Sequence, residues 1–169
     1  MTTGTGAPGP APTPGDVAQV TARLGRAPAG AFSVARRDDR GAPMVIANAP
    51  LLRDGTPMPT RYWLVDPDLH DAVSRLESTG GVRRAEAEVD PEALAAAHRR
   101  YGAARDAELP PDHHGPRPSG GVGGTRQGVK CLHAHLAYWL VGGEDPVGRW
   151  VALQLGLAPA PDGAAGPST

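Results

Sequence analysis

The stretch AFSVARRDDRGAPMVIANAP, residues 31–50, predicts a β-hairpin. The runs AFSVARR and PMVIANAP have the length and composition of strands, and the DDRG sequence at residues 38–41 is typical of the turn between them. A third such run, RYWLV at residues 61–65, follows a loop with an Asp-Gly turn at residues 54–55. We therefore expect a small antiparallel sheet of about three strands.

Helical patterns flank this sheet on both sides. Asp16 is a plausible N-cap for a short helix that ends at Leu24, before the hairpin. After the third strand, the Asp-Pro pairs at residues 66–67 and 90–91 each open a helix, and the glycines at residues 80–81 end the first of these two. With two further helices downstream, four helices follow the strands, and a sheet packed with about four helices predicts an α+β fold.

The two downstream helices follow a long loop. One is predicted from Val129 to Val141, and the other opens at Pro146 and ends near Leu155. Placed on a helical wheel, the apolar residues of the first form a stripe that would be buried. The stripe consists of Val129, Leu132, Leu136, Trp139 and Leu140.

Composition limits what the chain can be. With 23 Gly and 19 Pro among 169 residues, it contains segments that cannot form a hydrophobic core. We therefore predict one domain at residues 16–156, with disordered tails at residues 1–15 and 157–169. A single cysteine excludes an internal disulfide. No run approaches the roughly 18–20 apolar residues of a membrane span, so we expect a cytoplasmic protein that does not enter a membrane.

A formal net charge of −1 gives no overall attraction to nucleic acid. Arg99, Arg100 and Arg105 form a basic stripe on the helix that Pro91 opens, but aromatic residues do not alternate with them. We therefore do not expect nucleic-acid binding.

The helix predicted from Val129 to Val141 carries the residues with the most reactive chemistry. Cys131 and His135 are four residues apart on one flank, so a zinc or similar ion could bridge them, and His133 lies at the edge of the apolar stripe. Three interpretations of Cys131 stay open. It could be a metal ligand, a nucleophile activated by a neighbouring lysine and the helix N-terminus, or a small core side chain.

The glycine-rich run GGVGGTRQG at residues 120–128 suits an anion such as phosphate or carboxylate. Backbone N–H groups, a helix N-terminus and two cations would converge there. It is not a P-loop, because the lysine is displaced by one position and no strand precedes it. The other interpretation is a merely flexible loop. The predicted anion-binding residues are Gly123, Gly124, Thr125, Arg126, Gly128 and Lys130.

Several segments together resemble a known family. VARR, APLLRDGTPMPTRYWLVDP, SRLESTGGVR and above all GVKCLHAHLAYWLVGGEDPVG are similar to an uncharacterised actinobacterial family, domain-of-unknown-function family 501, over residues 17–155. Members often carry cysteine where this chain has Asp38 and Asp66. The resemblance therefore implies a four-ligand zinc or iron set of Asp38, Asp66, Cys131 and His135, with two thiolates replaced by carboxylates. The alternative is that the metal has been lost, with Asp66 serving as a helix N-cap and Asp38 as a turn residue.

Two functions follow as hypotheses. The first is a domain that binds a metal or a small anionic ligand, with or without enzymatic activity, at the N-terminus of the helix at 129–141. The second is a non-catalytic module that binds a protein partner. The second predicts an exposed apolar patch around Trp63, Trp139 or Trp150.

Overall fold

The computed structural model describes residues 9–158 of the chain. Of the two tails predicted to be disordered, residues 1–8 and 159–169 lie outside the described residues. The described part has three strands and six helices, with a short 3-10 turn at Val122–Gly124. In chain order these are α1 (Pro14–Leu24), β1 (Gly30–Arg37), β2 (Pro43–Leu52), β3 (Tyr62–Leu64), α2 (Pro67–Ser78), α3 (Gly81–Glu88), α4 (Pro91–Asp106), α5 (Leu132–Leu140) and α6 (Pro146–Gln154).

The sheet is antiparallel, in the order β1-β2-β3, so the predicted α+β fold and hairpin are confirmed. β2 lies in the centre and is buried almost along its length. Neighbouring residues on it face opposite sides of the sheet. Val45 packs into the main core with the helices α2–α6, whereas Ile46 packs with Val20 of α1 in a smaller core. α1 therefore covers one face of the sheet and the other helices cover the opposite face.

α1 begins earlier than predicted. Its N-cap is Thr13, and Asp16 is the third helical residue of a capping box. The Asp16 backbone N–H donates to Thr13 Oγ1, and the Thr13 N–H donates to an Asp16 carboxylate oxygen. Pro14, whose ring presets a helical φ, occupies the first position. The prediction that Asp16 is the N-cap and that residues 14–15 belong to a disordered tail was wrong.

Besides its part in the capping box, Asp16 forms an ion pair with Arg37. Both of its carboxylate oxygens accept hydrogen bonds from Arg37 at the end of β1, at 2.7 and 2.9 Å. The paired guanidinium, together with the Thr13 N–H, holds the pKa of Asp16 well below its usual range although burial opposes the charge. The ion pair therefore attaches α1 to the hairpin.

α3 was not predicted. The glycines at residues 80–81 were expected only to end α2, but Gly80, with φ +82°, makes a turn after which Gly81 starts a new helix. Only Gly81 and Ala85 of α3 are buried. The helix therefore lacks the large apolar residues at helical spacing that identify a helix from sequence. At Gly81 the backbone of α2 comes so close that a Cβ would meet the Leu76 carbonyl.

α5 begins three residues later than predicted. Val129 and Lys130 precede it in non-helical backbone, and Cys131 is the N-cap with an extended φ of −154°. The stripe on the helix itself is as expected, because Leu132, Leu136 and Leu140 are all buried in the main core. No helix in the described range 9–158 is long and apolar enough to cross a membrane.

α5 and α6 pack so closely that a glycine is required between them. An added Cβ on Gly148 would lie 2.5 Å from Trp139 Cβ and still closer to the His135 carbonyl oxygen. We expect Gly148→Ala to lower the free energy of unfolding by about 1–3 kcal/mol, measured by urea denaturation, because the two helices must separate.

Gly15→Ala is the matched control, since its Cβ would meet only Thr13 Oγ1 at 3.7 Å, an ordinary contact. That variant should be unchanged or slightly more stable, because alanine favours a helix over glycine. Equal stability of the two variants would contradict the close packing described here.

Candidate functional site

A cleft of about 900 Å³ lies where β3 meets the start of α2 and the start of α5. Its walls combine apolar side chains from β3 with polar ones from the two helices. The only lysine and the only cysteine of the chain both line it, side by side. The residues around it are Ala22, Arg23, Leu24, Thr60, Tyr62, Trp63, Leu64, Val65, Pro67, His70, Asp71, Gly123, Lys130, Cys131, His133 and Ala134.

Three possible donor atoms meet at the wall of this cleft. Cys131 Sγ lies 3.5 Å from His133 Nδ1, and the same nitrogen lies 3.4 Å from Glu77 Oε1. The three ligand atoms all lie within 4.8 Å of one another, and each residue is partly buried. Among residues 9–158 no other group of three or more such side chains is this compact.

The far side of the His133 ring is held by α2. Its Nε2 lies 3.1 Å from the His70 carbonyl oxygen and 3.1 Å from Ser74 Oγ, and the His70 and His133 rings are 4.4 Å apart between centroids. A carbonyl can only accept, so Nε2 carries the hydrogen and Nδ1 keeps a lone pair in the neutral ring. That lone pair is directed towards Cys131 and Glu77.

Charge around His133 also favours its protonated form. Burial lowers the pKa of His133, but the hydrogen bond and electrostatic interaction with Cys131, the His70 carbonyl and the Glu77 carboxylate together outweigh burial and raise it. The ring therefore lies among groups that attract a cation, whether that cation is a proton or a metal ion.

The predicted pair of Cys131 and His135 is not brought together. His135 is fully buried, and its Nδ1 donates to Asp145 Oδ2 at 2.7 Å, while its Nε2 has no hydrogen-bond partner. The four-residue spacing aligns two side chains only when both residues are helical, and Cys131 has extended backbone before the first turn. Cys131 contacts His133 instead.

Asp38 and Asp66 also lie outside the cluster of Glu77, Cys131 and His133. Asp38 is a turn residue whose Oδ1 accepts from the N–H groups of Arg40 and Ala42. Asp66 is the N-cap of α2, and its Oδ1 accepts from the Leu69 N–H. The four-ligand set implied by the family resemblance is therefore not assembled in this chain.

Backbone N–H groups directly after the glycine-rich run, at the start of the predicted helix, meet carboxylates of the chain itself. The Val129 N–H donates to Glu86 Oε1, and the Leu132 N–H donates to Glu77 Oε1, both at 2.7 Å. These are N–H groups that were expected to receive an external anion at the start of this helix. The chain supplies that negative charge from α2 and α3.

The other residues predicted to bind an anion are divided between two places. Gly123 and Lys130 line the cleft, whereas Arg126 lines a separate pocket beside α4. Thr125 Oγ1 donates to the Gln127 carbonyl. Gly123, Gly124 and Gly128 adopt left-handed backbone that lets the loop turn.

Sequence reasoning missed Glu77 and the supporting residues on α2. A signal was present, because His70, Ser74 and Glu77 are spaced i, i+4 and i+7, which places them on one face of a helix. Each of these residues directly follows one of Leu69, Val73 and Leu76, so the polar face lies beside the apolar stripe, about 100° further round the helix.

The exposed tryptophan patch expected of an interaction module is absent from the described part of the chain. Trp150 is buried, and its Nε1 donates to Glu88. Trp63 and Trp139 are partly buried. The large hydrophobic residues exposed within residues 9–158 are Val17 and Leu153.

Comparison with known proteins gives one match. A family model described as "Protein of unknown function (DUF501)" matches residues 34–153, which confirms the resemblance seen in the sequence. No curated protein and no solved structure matches the chain. The matched range includes Glu77, Cys131 and His133.

Proposed function

Because the chain belongs to the DUF501 family, whose description assigns no activity, we propose a function from its own side chains: it binds one zinc ion, or a similar divalent transition metal, at Glu77, Cys131 and His133. The observation that carries this proposal is the meeting of a thiol, an imidazole nitrogen and a carboxylate at one point of the cleft wall. These are the three donor types that zinc uses in proteins.

The spacing of the donors fits a tetrahedral ion. With ordinary bond lengths to zinc, a tetrahedron has an edge of about 3.5 Å between sulfur and nitrogen and about 3.4 Å between nitrogen and oxygen. The corresponding distances are 3.5 Å between Cys131 Sγ and His133 Nδ1 and 3.4 Å between His133 Nδ1 and Glu77 Oε1. Two of the three distances therefore match the edges of a tetrahedral site, and the third, between the thiol and the carboxylate, is within 4.8 Å.

The surroundings supply the hydrogen bonds that metal ligands need. The His70 carbonyl accepts from His133 Nε2, which fixes the ring with Nδ1 available to the ion. The Leu132 N–H donates to Glu77 and orients its carboxylate. Both are contacts that raise the affinity of a metal site by holding the ligands in place.

Three protein ligands leave one position of a tetrahedron for water or substrate, as in catalytic zinc sites. Cys131 and His133 line the cleft, so the fourth position would be reached from it. An ion there could lower the pKa of bound water or polarise a carbonyl or phosphoryl oxygen. A thiolate ligand without a disulfide also suits the reducing cytoplasm, where we place the protein.

The test is a zinc titration of the metal-free protein against a competing chromophoric chelator. We expect the wild type to bind one equivalent, and Cys131→Ser, His133→Asn and Glu77→Gln each to weaken binding by more than about 100-fold, the upper end of the loss seen when only a supporting residue is removed. Cobalt substituted for zinc should show a thiolate charge-transfer band that Cys131→Ser abolishes.

His114→Asn is the matched control, because His114 is exposed and outside the cluster. It should bind zinc as tightly as the wild type. A wild type that binds less than one equivalent, or a Cys131→Ser variant with unchanged affinity, would overturn the proposal.

A further inference from the structure

A second pocket, separate from the cleft, lies between α4 and the glycine-rich run. Its volume is about 390 Å³, and three arginines line it: Arg99 and Arg105 from α4, and Arg126 from the run. Arginine is the residue best suited to phosphate, because its planar fork offers paired donors that match phosphate oxygens. The charges around this pocket do not balance the three cations.

Arg105 is the inner member of the three. Its side chain is 2% exposed, although the sequence suggested that it belongs to an exposed basic stripe. Its Nη1 donates to the carbonyls of Pro59, Ser119 and Gly120, and its Nε donates to Asp106. Its Nη2 makes no hydrogen bond within the described residues and remains for a ligand. Arg105 is therefore a buried cation, fixed in position, that lines an open pocket.

The other two arginines have no counter-ion. Arg99 and Arg126 are exposed and form no ion pair with any described residue. Asp106 is the carboxylate that lines the pocket, and it already accepts from Arg105. Three guanidinium groups and one carboxylate leave two net positive charges.

The histidine in the wall does not alter this balance. The Val122 N–H donates to His98 Nδ1, so His98 Nε2 carries the hydrogen and donates to the Gly128 carbonyl. Burial lowers the pKa of His98 below its ordinary value, which keeps the ring neutral. His98 therefore shapes the pocket without adding charge.

We propose that this pocket binds the phosphate group of a small phosphorylated molecule. A phosphate monoester carries about −1.5 to −2 charges at neutral pH, which matches the net charge of the lining, and a monocarboxylate does not. The pocket is larger than one phosphate group, so the organic part of the ligand lies in it as well. This site is independent of the zinc site, because the pocket and the zinc cluster share no residue.

The experiment is isothermal titration calorimetry of the full chain with inorganic phosphate and with glycerol 3-phosphate, in the presence of a chelator. We expect saturable binding of both, tighter for the ester, and no saturable binding of acetate. Arg126→Gln and Arg99→Gln should each weaken binding at least tenfold. Arg149→Gln, an exposed arginine of α6 outside the pocket, is the matched control and should leave binding unchanged.

Equal binding of acetate, or an equal loss in Arg149→Gln and Arg126→Gln, would overturn the proposal. Repeating the titration with Cys131→Ser separates the two sites. Unchanged phosphate binding by that variant supports a separate pocket, whereas loss of phosphate binding would place the anion at the zinc cluster and refute the assignment to the arginines.

Discussion

Replacing Asp145 with alanine is expected to lower the free energy of unfolding by about 3–5 kcal/mol, because each buried donor left without its acceptor costs about 1–3 kcal/mol. Asp145 and His135 are both buried, and His135 Nδ1 donates to Asp145 Oδ2. The other oxygen, Oδ1, accepts from the Val147 and Gly148 N–H groups at the start of α6. One substitution therefore leaves three buried donors without an acceptor.

Asp90→Ala is the matched control for this prediction. Asp90 caps α4 in the same way, by accepting from the Glu92 and Ala93 N–H groups, but it is exposed and has no histidine partner. Its replacement should cost about 1 kcal/mol. Urea denaturation of both variants measures the difference, and equal losses would show that the pair with His135 contributes nothing beyond capping.

Zinc is expected to stabilise the folded protein by about 4 kcal/mol when its free concentration is about 1,000 times the dissociation constant. The reason is mass action, because Glu77, Cys131 and His133 meet only in the folded chain. Thermal unfolding in a zinc buffer, compared with unfolding in excess chelator, gives the shift. Magnesium should give none, since it disfavours thiolate and imidazole ligands.

The same measurement on Cys131→Ser isolates the site. That variant should unfold at nearly the same temperature with and without zinc, and His114→Asn should keep the full shift. A shift of equal size in Cys131→Ser would show that zinc acts elsewhere on the chain and would remove the support for the cluster.

Local signals predicted most of the fold. The turn at residues 38–41 and the Asp-Pro pairs at 66–67 and 90–91 each act within a few residues, so the sequence alone identifies the hairpin and the starts of α2 and α4. α3 was missed because its buried face consists of glycine and alanine, which carry no hydrophobic signal.

The site was only partly predictable because its parts are far apart in sequence. The sequence drew attention to Cys131 and the start of α5, but Glu77 lies 55 residues before Leu132, from whose N–H it accepts a hydrogen bond. That distant carboxylate lies at the beginning of the helix, with Cys131 outside the first turn. The partner of the cysteine is therefore His133, which a helical wheel that starts at Val129 placed at the edge of the apolar stripe.

The residues predicted to bind an anion illustrate the same point. A glycine-rich run before a helix predicts free N–H groups, but it does not reveal that Glu86, 43 residues earlier, already accepts from Val129. Nor does the position of Arg105 on a helical wheel show that three carbonyls from two loops surround it. Such contacts depend on tertiary packing, which local sequence patterns do not encode.

The hydrogen bonds from Arg105 to the carbonyls of Pro59, Ser119 and Gly120 have a practical consequence for engineering. They anchor the far end of the connection after α4, while Leu109 and Pro118 are buried on either side of its tip. The tip itself, at residues 111–117, is mostly exposed and makes its hydrogen bonds locally, as between His113 and Pro116. A fluorophore or affinity tag inserted there should leave both pockets intact, because residues 111–117 line neither of them.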